Sequence, residues 1–585
     1  MWSCGAAAAA VVAVVVLASP ATATVARFVE QTDVQTTYAS VFYVESDDSY
    51  VVKTENHPWD GDFEKDEAVR IKYTPGYLVA GWDQLHVKSN SAMDDATVAY
   101  AAGYGEAQLT AEMIYNYAYN NGYDTFTPND KLADYLAKNQ AFMAASIASN
   151  RSDANGYWYH VDLILRQLQG VCDGYNSSDF AKSFPLPCES MLAINLMGDM
   201  EDLSDALASS DEWYTEDRFF RATHCSALVK LVGGASSPSD IYISQDTWSS
   251  LNSMTRIMKR YDLNFLQAKG ADDRIAGSSI VFSSYPGSLY SGDDFYLTSA
   301  GMAVIETTIG NSNPELYQYI VPDTVLEWIR NIMANRLASN SQTWYEVYRQ
   351  FNSGTYNNMN MILDYKQFKP QEALQDELLT IVEQIPGTVT KTDVTGYLRN
   401  MTYWGSYNVA FDQNIRELSG ANQAEQLYGP WFSYWNTSRA LIFAREQKNV
   451  SSLEDLKRLM RLNQFKTDPL SVQTATCEYR GWTNCTPAYT AENVIATRGD
   501  LNDPNGIYSL SSFGLRNHVA TDSKISTFST YDSNNLNVWA ISGPTNGPPP
   551  NQPVFNWSTS YYKDTRHRGM PEAFDFDWVN FNWPF

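Results

Sequence analysis

The clearest alternation of apolar and polar positions begins at Cys225 and predicts a β-hairpin. Every second residue from Cys225 to Leu231 falls on one face of an extended strand, Gly233 and Gly234 mark a turn, and residues 240–244 form the returning strand. Five further apolar stretches have the length that is typical of strands. They cover residues 78–87, 279–283, 295–297, 302–307 and 359–365.

Apolar residues at helical spacing predict helices over residues 106–119 and 248–261. The second helix would carry an apolar stripe on one side. This stripe consists of Leu251, Met254, Ile257, Met258 and Tyr261. Asp323 is placed to cap a third helix over residues 324–337.

The order of these elements favours a layered α+β architecture, because strands and helices follow one another with little strict βαβ alternation. Residues 196–217 are rich in Asp, Glu and Ser, which predicts an exposed, protease-accessible segment ahead of Cys225. Residues 544–553 are rich in Pro and indicate a loop. We expect the aromatic tail that ends at Phe585 to pack on the body of the protein.

The composition allows a large core and argues against two kinds of partner. Of 585 residues, 44% are hydrophobic, and no linker clearly divides the chain. The 67 Asp and Glu residues outnumber the 41 Lys and Arg residues, so we expect neither nucleic acid nor an anionic membrane surface as a standing partner. The acidic excess suits an acidic lumen, and an ordinary soluble surface explains it equally well.

The beginning of the chain predicts export. Residues 5–18 form an apolar run too short to span a membrane, and residues 21–23 form a small-residue cleavage pattern. We therefore interpret residues 1–23 as a signal peptide and expect no stable membrane insertion. Seven Asn-x-Ser/Thr sequons fit a secreted or lysosomal glycoprotein. They are Asn150, Asn176, Asn400, Asn436, Asn449, Asn484 and Asn556.

Cysteine counting sets Cys225 apart. Of the six cysteines, Cys4 lies in the predicted signal peptide, and proximity predicts the two disulfides Cys172–Cys188 and Cys477–Cys485, although four cysteines allow three connectivities. An odd thiol in an exported protein points to intermolecular pairing or to a reactive group. Cys225 is therefore a candidate nucleophile, and an ordinary buried thiol is the alternative.

Common catalytic signatures are absent from the sequence. It has no G-x-S-x-G elbow, H-E-x-x-H helix, P-loop or G-x-G-x-x-G segment, and its six histidines lack metal-ligand spacing. We expect neither a metal nor a cofactor. Cleavage before Cys225 would instead place a thiol and an α-amine on one residue. Their reference pKa values of about 8.5 and about 7.7–8.0 let the amine accept the thiol proton without a steep step.

Seven stretches of the chain resemble the phospholipase B-like proteins. They are residues 225–230 (CSALVK), 246–248 (DTW), 284–287 (SYPG), 291–296 (SGDDFY), 306–311 (ETTIGN), 326–331 (LEWIRN) and 351–358 (FNSGTYNN). The resemblance runs from about Gly81 to about Asn502. It implies an N-terminal nucleophile hydrolase fold, which is a four-layer αββα sandwich.

The resemblance also implies that the chain cuts itself before the cysteine. The bond would be His224–Cys225, and residues 24–224 and 225–585 would remain together as two fragments of one hydrolase domain. How much of the segment before Cys225 is excised is left open. Cys225 would attack an acyl carbon and pass through an oxyanion and a thioester. The family name implies a phospholipid acyl ester, while related hydrolases of this fold mostly cleave amides, so we expect a lipid or N-acyl small-molecule substrate.

The matched stretches imply supporting roles for further residues. Asn357 would donate a hydrogen bond to the oxyanion. If the strand pleat points the other way, its neighbour Asn358 would do so instead, and Thr308 would be a second donor. Arg439 would hold the α-amine or a carboxylate. The ordinary interpretations are a turn-capping Asn, a strand Thr and a surface Arg.

Two more residues are expected to contact the substrate. Gln245 stands where the family usually has a histidine, so a proton shuttle through that histidine is absent, but Gln245 can still form a hydrogen bond. Trp248 would line an acyl pocket, or it is plain core.

The sequence thus favours a cysteine N-terminal nucleophile hydrolase of acyl esters or amides. The first alternative is a catalytically weak or inactive glycoprotein of the same fold that binds lipid or protein. The presence of Gln245 in place of the family's usual histidine keeps this alternative open. The second is a serine esterase that uses Ser226 or Ser291, although no histidine motif lies beside either serine. The oligomeric state is left open.

Overall fold

The computed structural model describes residues 34–150, 155–208, 225–547 and 552–583. The strands are β1 Thr37–Val44, β2 Ser49–Glu55, β3 Glu67–Thr74, β4 Asp83–Ser89, β5 Cys225–Val232, β6 Asp240–Ser249, β7 Ile257–Asp262, β8 Ser279–Ser284, β9 Phe295–Thr298, β10 Met302–Thr308, β11 Asn358–Asp364, β12 Leu379–Ile385, β13 Thr388–Asp393, β14 Tyr403–Ser406, β15 Val519–Ala520, β16 Asp522–Thr527, β17 Val538–Ser542, β18 Phe555–Asn556, β19 Ala573–Phe574 and β20 Val579–Phe581. The α-helices are α1 Tyr77–Ala80, α2 Asp95–Leu109, α3 Ala111–Asn121, α4 Asp130–Ser149, α5 Tyr157–Ser177, α6 Cys188–Asn195, α7 Asp199–Leu207, α8 Glu327–Leu337, α9 Ser341–Tyr348, α10 Thr395–Met401, α11 Gln413–Leu418, α12 Ala421–Tyr428, α13 Ser438–Glu446, α14 Leu453–Met460 and α15 Thr474–Tyr479. This mixed composition confirms the α+β class.

Two large sheets organise the described residues. The first has eleven strands in the order β13-β12-β11-β10-β9-β8-β7-β4-β3-β1-β2, and the second has β14-β5-β6-β16-β17-β20 with β15 beside β6. The neighbours β4 and β7 run parallel, and they join the part of the first sheet that precedes Cys225 to the part that follows it. The first sheet is therefore built from both sides of the proposed cleavage point.

The two sheets share one hydrophobic core, and helices cover the other face of the first sheet. Val229 and Ile243 from the second sheet belong to the same buried cluster as Ile305 of β10. Its neighbour Val304 belongs instead to the cluster that holds Ala99 of α2 and other residues of the helical layer. This switch between adjacent residues is the alternation expected of a strand with two buried faces.

Several predicted elements match the structure closely. The predicted hairpin is the antiparallel pair β5 and β6, and the strands predicted at 279–283, 295–297, 302–307 and 359–365 are β8, β9, β10 and β11. Both predicted disulfides, Cys172–Cys188 and Cys477–Cys485, are confirmed. Within the described part of the aromatic tail, Phe581 and Trp583 are buried, as expected.

The helix predicted over residues 248–261 is wrong. Strand β6 continues through Ser249, a 3-10 turn covers Leu251–Ser253, and the rest is mainly β7. The supposed apolar stripe is divided among different cores, because Ile257 packs toward the helices and Met258 packs toward the second sheet. A strand with apolar residues on both faces lacks the alternation that distinguishes it from a helix.

Other predicted boundaries also need correction. The strand predicted at 78–87 begins as helix α1, and the helix predicted at 106–119 is broken at Thr110, whose hydroxyl donates to the Glu106 carbonyl at 2.8 Å. Helix α8 is not capped by Asp323. The carboxylate of Asp199 instead accepts the Glu327 N–H at 2.9 Å, so the cap comes from a distant part of the chain.

Parts of the remaining predictions fall outside the described residues. These are the signal peptide 1–23, residues 209–224 of the predicted exposed segment, residues 548–551 of the predicted loop and the last two residues. The described part of the segment predicted to be exposed, residues 196–208, is mostly buried or half-buried, so the prediction of exposure is wrong there. Residues 199–207 form α7, with Leu203 buried. The helices of the described residues include none long and apolar enough to cross a membrane. The sequon asparagines are all exposed except Asn556, which is half-buried, and glycosylation stays a prediction.

Candidate active site

Cys225 is the first residue of β5 and lies in a closed, polar environment. Its side chain is 1% exposed, and it is the free cysteine of the described residues. In the hairpin register it stands opposite Thr247 of β6. Strand β5 lies between β14 and β6, so its first residue is at the end of an inner strand, where residues from other elements can reach the thiol.

The main chain of Cys225 is held by Arg439 and Asn408. The Arg439 Nη1 donates to the Cys225 carbonyl at 2.6 Å and to Asn408 Oδ1 at 3.0 Å, and its Nη2 donates to the Tyr407 carbonyl at 2.6 Å. The Cys225 N–H donates to the same Asn408 Oδ1 at 3.4 Å. The planar guanidinium thus fixes the start of β5 through several oxygens at once. Arg439 is buried, so its interpretation as a surface arginine is wrong.

Asn408 is a site residue that the sequence interpretation missed. It follows β14 with φ of 68°, and its Nδ2 donates to the Thr308 carbonyl at 2.8 Å. Asn408 therefore bridges Cys225 and the end of β10. The only signal in the sequence is that Asn tolerates left-handed backbone better than most residues, which is too general to identify a site.

Two carboxyl groups lie beside the thiol. Single atoms of Cys225, Asp294 and Glu306 lie within 4.8 Å of one another, an arrangement that could hold a divalent cation. The Tyr356 Oη lies 2.5 Å from Asp294 Oδ2 and 3.1 Å from Glu306 Oε1. One hydroxyl carries one hydrogen, so it can donate to only one of these carboxylates, and the other contact is favourable when that carboxyl group is protonated.

Burial governs the ionisation of this group. It raises the pKa of the Cys225 thiol well above its ordinary value, and the charge of Asp294 raises it further, while Lys524 lowers it. Burial also raises the pKa of Asp294 well above its ordinary value, against the hydrogen bond from Tyr356. Cys225 is therefore held as a thiol, and its use as a nucleophile requires a base close to Sγ.

A buried ionic cluster lies behind the nucleophile strand. Arg256 contacts Asp293 and lies 2.7 Å from Asp522, and Lys524 lies 2.8 Å from Asp522. The Lys524 Nζ also donates to Thr247 Oγ1 at 2.6 Å. Because Thr247 stands opposite Cys225, this cluster fixes the strand that supports the nucleophile. The cluster contains two basic residues, Arg256 and Lys524, and two acidic residues, Asp293 and Asp522.

The predicted oxyanion donors are buried and have unused hydrogen-bonding capacity. Thr308 Oγ1 and the side-chain amides of Asn357 and Asn358 have no hydrogen-bond partner. Thr308 is paired with Asn358 across β10 and β11, and Asn408 links Thr308 to Cys225. Buried polar groups are normally satisfied, so unpaired donors close to a nucleophile are candidates for a functional role. The individual roles stay predictions.

A cavity of about 170 Å³ opens at Cys225. Its lining consists of Tyr117, Asn121, Tyr123, Met197, Gly198, Glu201, Cys225, Thr247, Trp248, Ser249, Ser250, Ser253, Tyr285, Gly292, Asp294 and Tyr356. Trp248 is thus part of the wall, and the Arg439 guanidinium carbon lies 4.4 Å from its ring centroid. Gln245 does not line this cavity. It is fully buried in β6 between Ala227 and Lys524, and its Nε2 has no partner.

Comparison with known proteins gives a consistent result. The phospholipase B family profile matches residues 69–581. The chain is 38% identical over 531 residues to a phospholipase B-like 2 protein of Rattus norvegicus, covering 89% of this chain and 87% of the relative. It is 38% identical over 513 residues to a human phospholipase B-like 2 protein, covering 86% of this chain and 84% of the relative. A phospholipase B-like protein B of Dictyostelium discoideum is 36% identical over 515 residues, covering 86% of this chain and 84% of the relative. With this match over most of its length, the chain belongs to the phospholipase B family.

Proposed function

We propose that the protein hydrolyses acyl ester or amide bonds of lipid-like substrates, with Cys225 as an N-terminal nucleophile released by cleavage of the His224–Cys225 bond. The observation that carries this proposal is a buried thiol at the start of β5, the free cysteine among the described residues, with its main chain fixed by Arg439 and Asn408. The family name supports a hydrolase acting on lipids. We propose a secreted or lysosomal location, and no cofactor is required.

The fold proposed for this chemistry is the four-layer αββα sandwich of N-terminal nucleophile hydrolases. Two features support it: the two sheets share a core, and helices cover the other face of the first sheet. In addition, α14 contacts β6 and α13 contacts β14 on the second sheet. The nucleophile then lies at the end of a strand between the layers.

The proposed mechanism follows from the groups around Cys225. After cleavage, the α-amine of Cys225 replaces the N–H that donates to Asn408 Oδ1, and it accepts the thiol proton. The thiolate attacks the acyl carbon, and the oxyanion accepts hydrogen bonds from unpaired donors such as Thr308 Oγ1. The amine returns its proton to the leaving group. Water then attacks the thioester, releases the acid and restores the thiol.

Substitution of the nucleophile tests this function. We expect Cys225→Ala to abolish hydrolysis of both a fatty-acyl ester and an N-acyl amide, and alkylation of the purified wild-type protein to do the same. Persistent hydrolysis by Cys225→Ala would contradict the proposal and favour the serine alternatives. In the described structure, Ser291 is buried and donates to Asp293 Oδ1 at 2.7 Å, and Ser226 is also buried. Substrate binding without turnover by the wild type would favour the binding glycoprotein.

A further inference from the structure

We propose that Glu306 is the base that takes the Cys225 thiol proton when the chain cuts itself, with Asp294 as a neutral carboxylic acid linked to it through Tyr356. This inference rests on the proposed function and specifies how its self-cleavage begins. It gives a role to two carboxyl groups that the hydrolysis mechanism above leaves unused.

The uncleaved chain lacks the base that the processed protein would use. Before cleavage, the nitrogen of Cys225 belongs to a peptide bond, and its N–H donates to Asn408 Oδ1 at 3.4 Å. A peptide N–H is a hydrogen-bond donor and does not accept a proton as an amine does. Burial raises the pKa of the thiol well above its ordinary value, so the thiolate forms only when a nearby group accepts the proton. Self-cleavage therefore needs a base other than the α-amine.

Two carboxyl groups are close enough to the thiol to act in this way. Single side-chain atoms of Cys225, Asp294 and Glu306 lie within 4.8 Å of one another. Asp294 Oδ1 and Glu306 Oε2 are buried and have no hydrogen-bond partner. Buried carboxylate oxygens are normally satisfied by donors, so an open lone pair beside a thiol is placed to accept its proton.

The amine of Lys524, whose charge also influences the thiol, is held as a donor. Its Nζ lies 2.8 Å from Asp522 and 3.3 Å from Asp293, and it donates to Thr247 Oγ1 at 2.6 Å. An ammonium group with three such contacts has no lone pair to offer. This leaves the two carboxyl groups as the candidates.

The hydrogen bonds of Tyr356 assign different forms to the two carboxyl groups. Its Oη lies 2.5 Å from Asp294 Oδ2 and 3.1 Å from Glu306 Oε1. Burial raises the pKa of Asp294 well above its ordinary value, which favours the acid, and this acid donates to the Tyr356 oxygen. The hydroxyl hydrogen is then free for Glu306 Oε1, which is closer than the Gly292 carbonyl oxygen at 3.4 Å. Glu306 is therefore the carboxylate, and it accepts the thiol proton.

The backbone holds this group of residues in an unfavourable conformation. Asp294 has φ of 71° and Tyr356 has φ of 50°, in the left-handed region that is uncommon for residues with bulky side chains. The Glu306 N–H donates to the Asp294 carbonyl at 3.2 Å and fixes the two acids relative to each other. Strained backbone of this kind is concentrated at functional sites.

The proposed step is balanced. The thiol proton moves to Glu306, and the thiolate attacks the carbonyl carbon of the residue before Cys225. As the carbon–nitrogen bond breaks and the carbon–sulfur bond remains, the proton passes from Glu306 to the α-nitrogen of Cys225. Water then attacks the thioester, which leaves a carboxyl group on the first fragment and returns a proton to Sγ. No oxidant or reductant is needed, and the new amine becomes the base for later turnover.

The rate of self-cleavage in isosteric variants tests the inference. Chains are labelled in a short pulse in secreting cells, and the fragment that begins at Cys225 is followed on denaturing gels. We expect Glu306→Gln to slow the cleavage at least about 100-fold, the order of magnitude for loss of a general base. Asp294→Asn should be cleaved much faster than Glu306→Gln, because its amide still donates to Tyr356. Equal losses in these two variants would overturn the assignment of the base to Glu306.

Two further variants distinguish a base from a structural residue. Glu306→Asp keeps a carboxylate and should be cleaved faster than Glu306→Gln, and its purified precursor should be cleaved at the same rate with and without EDTA. Formate should restore cleavage of the purified Glu306→Ala precursor, because it supplies a carboxylate to the vacated space. Failure of both Glu306→Asp and formate to restore cleavage, or cleavage that EDTA abolishes, would overturn the inference.

Glu383→Gln is the matched control. Glu383 is also a buried carboxyl group of the first sheet, but it lies on β12 and accepts the N–H groups of Phe411 at 2.7 Å and Asp412 at 2.6 Å. This variant should be cleaved at the wild-type rate. Cleavage as slow as in Glu306→Gln would show that loss of any buried carboxyl group blocks processing, and it would overturn the inference.

The outcomes separate this inference from the proposed function. If the wild type and Glu306→Gln yield the fragment that begins at Cys225 at the same rate, the function stands and Glu306 is not the base. If the wild type itself stays intact, the N-terminal nucleophile fails and self-cleavage fails with it. Cleavage that is absent in Cys225→Ala, slow in Glu306→Gln and restored by formate in Glu306→Ala is the result that supports both.

Discussion

The hydroxyl of Thr308 is a donor without a partner at the end of β10, and it is buried. We predict that Thr308→Val lowers kcat about 100-fold, the order of magnitude for loss of one oxyanion donor, with little change in KM. Stability should change by less than about 1 kcal/mol, because the substitution removes an unpaired polar group and keeps the shape of the side chain. Steady-state kinetics and urea unfolding test this, and an unchanged kcat would remove Thr308 from the mechanism.

Glu327 makes folding sensitive to pH. Burial, together with the nearby charge of Asp199, raises the pKa of its carboxyl group from 4.5 to about 8. The folded state holds this proton more tightly than the unfolded state. The contribution of Glu327 to the free energy of unfolding is therefore fully present below about pH 4.5 and is lost as the pH rises toward 8. The maximum slope is about 1.4 kcal/mol per pH unit for one proton.

We therefore predict that Glu327→Gln, which resembles the protonated acid, loses less stability than the wild type between pH 5 and pH 8. Urea unfolding at both pH values measures the difference. Glu346→Gln, at an exposed position of α9, should follow the wild type. Equal pH dependence in the wild type and Glu327→Gln would show that burial of Glu327 does not control this effect.

At the residue scale, sequence reasoning finds a candidate when its signal is local. Parity among the cysteines singles out Cys225, and the family resemblance of residues 306–311 singles out Thr308. Asn408 cannot be found in this way, because it contacts Cys225 from 183 positions away. The pairing of Asp294 and Glu306 through Tyr356 is equally non-local, although all three residues lie in stretches that carry the family resemblance.

At the scale of elements, a buried ion pair connects β7 to the helical layer. The Lys259 Nζ donates to Glu106 Oε1 of α2 at 2.6 Å and to the Ser288 carbonyl at 2.5 Å, and the Tyr261 hydroxyl also donates to Glu106. Lys259 and Glu106 are both nearly fully buried. Removal of one partner leaves the other charge uncompensated in a region of low polarity.

We predict that Lys259→Met destabilises the protein by about 3–5 kcal/mol, and that Glu106→Gln combined with Lys259→Met recovers most of this loss. Denaturant unfolding of the two single variants and the double variant measures the coupling. Additive losses in the double variant would show that the pair acts through packing and not through charge.

The success of element prediction depends on how much of a strand is buried. The β5 and β6 hairpin was predictable because its apolar residues alternate and two glycines mark the turn. The region of β7 was not, because Ile257 and Met258 serve cores on opposite faces of the first sheet. The start of α8 was mispredicted for a different reason, since its cap is supplied by Asp199 from another helix.

At the scale of the whole molecule, the first sheet predicts what happens after cleavage before Cys225. Strands β1–β4 precede this point and β7–β13 follow it, and β4 pairs with β7 within the sheet. Each of the two disulfides lies on one side of it, so none crosses it. The fragments would therefore be held together by hydrogen bonds, the shared core and buried ion pairs such as Lys259–Glu106, without either of these disulfides.

We predict that the cleaved protein elutes as one species of the mass of both fragments in non-denaturing size-exclusion chromatography, with or without a reductant. The fragments should separate only in denaturant. Separation in buffer alone would contradict the shared sheet, and separation caused by the reductant alone would indicate a disulfide between the fragments.

The central claim is that Cys225 becomes the N-terminal residue of a hydrolase fragment. The most direct test is N-terminal sequencing of every fragment in the purified mature protein, in parallel with a Cys225→Ala variant produced in the same way. We predict a fragment that begins at Cys225 in the wild type and an absence of this cut in the variant. An intact wild-type chain with an unreactive Cys225 would contradict the claim and leave a family member whose work is binding.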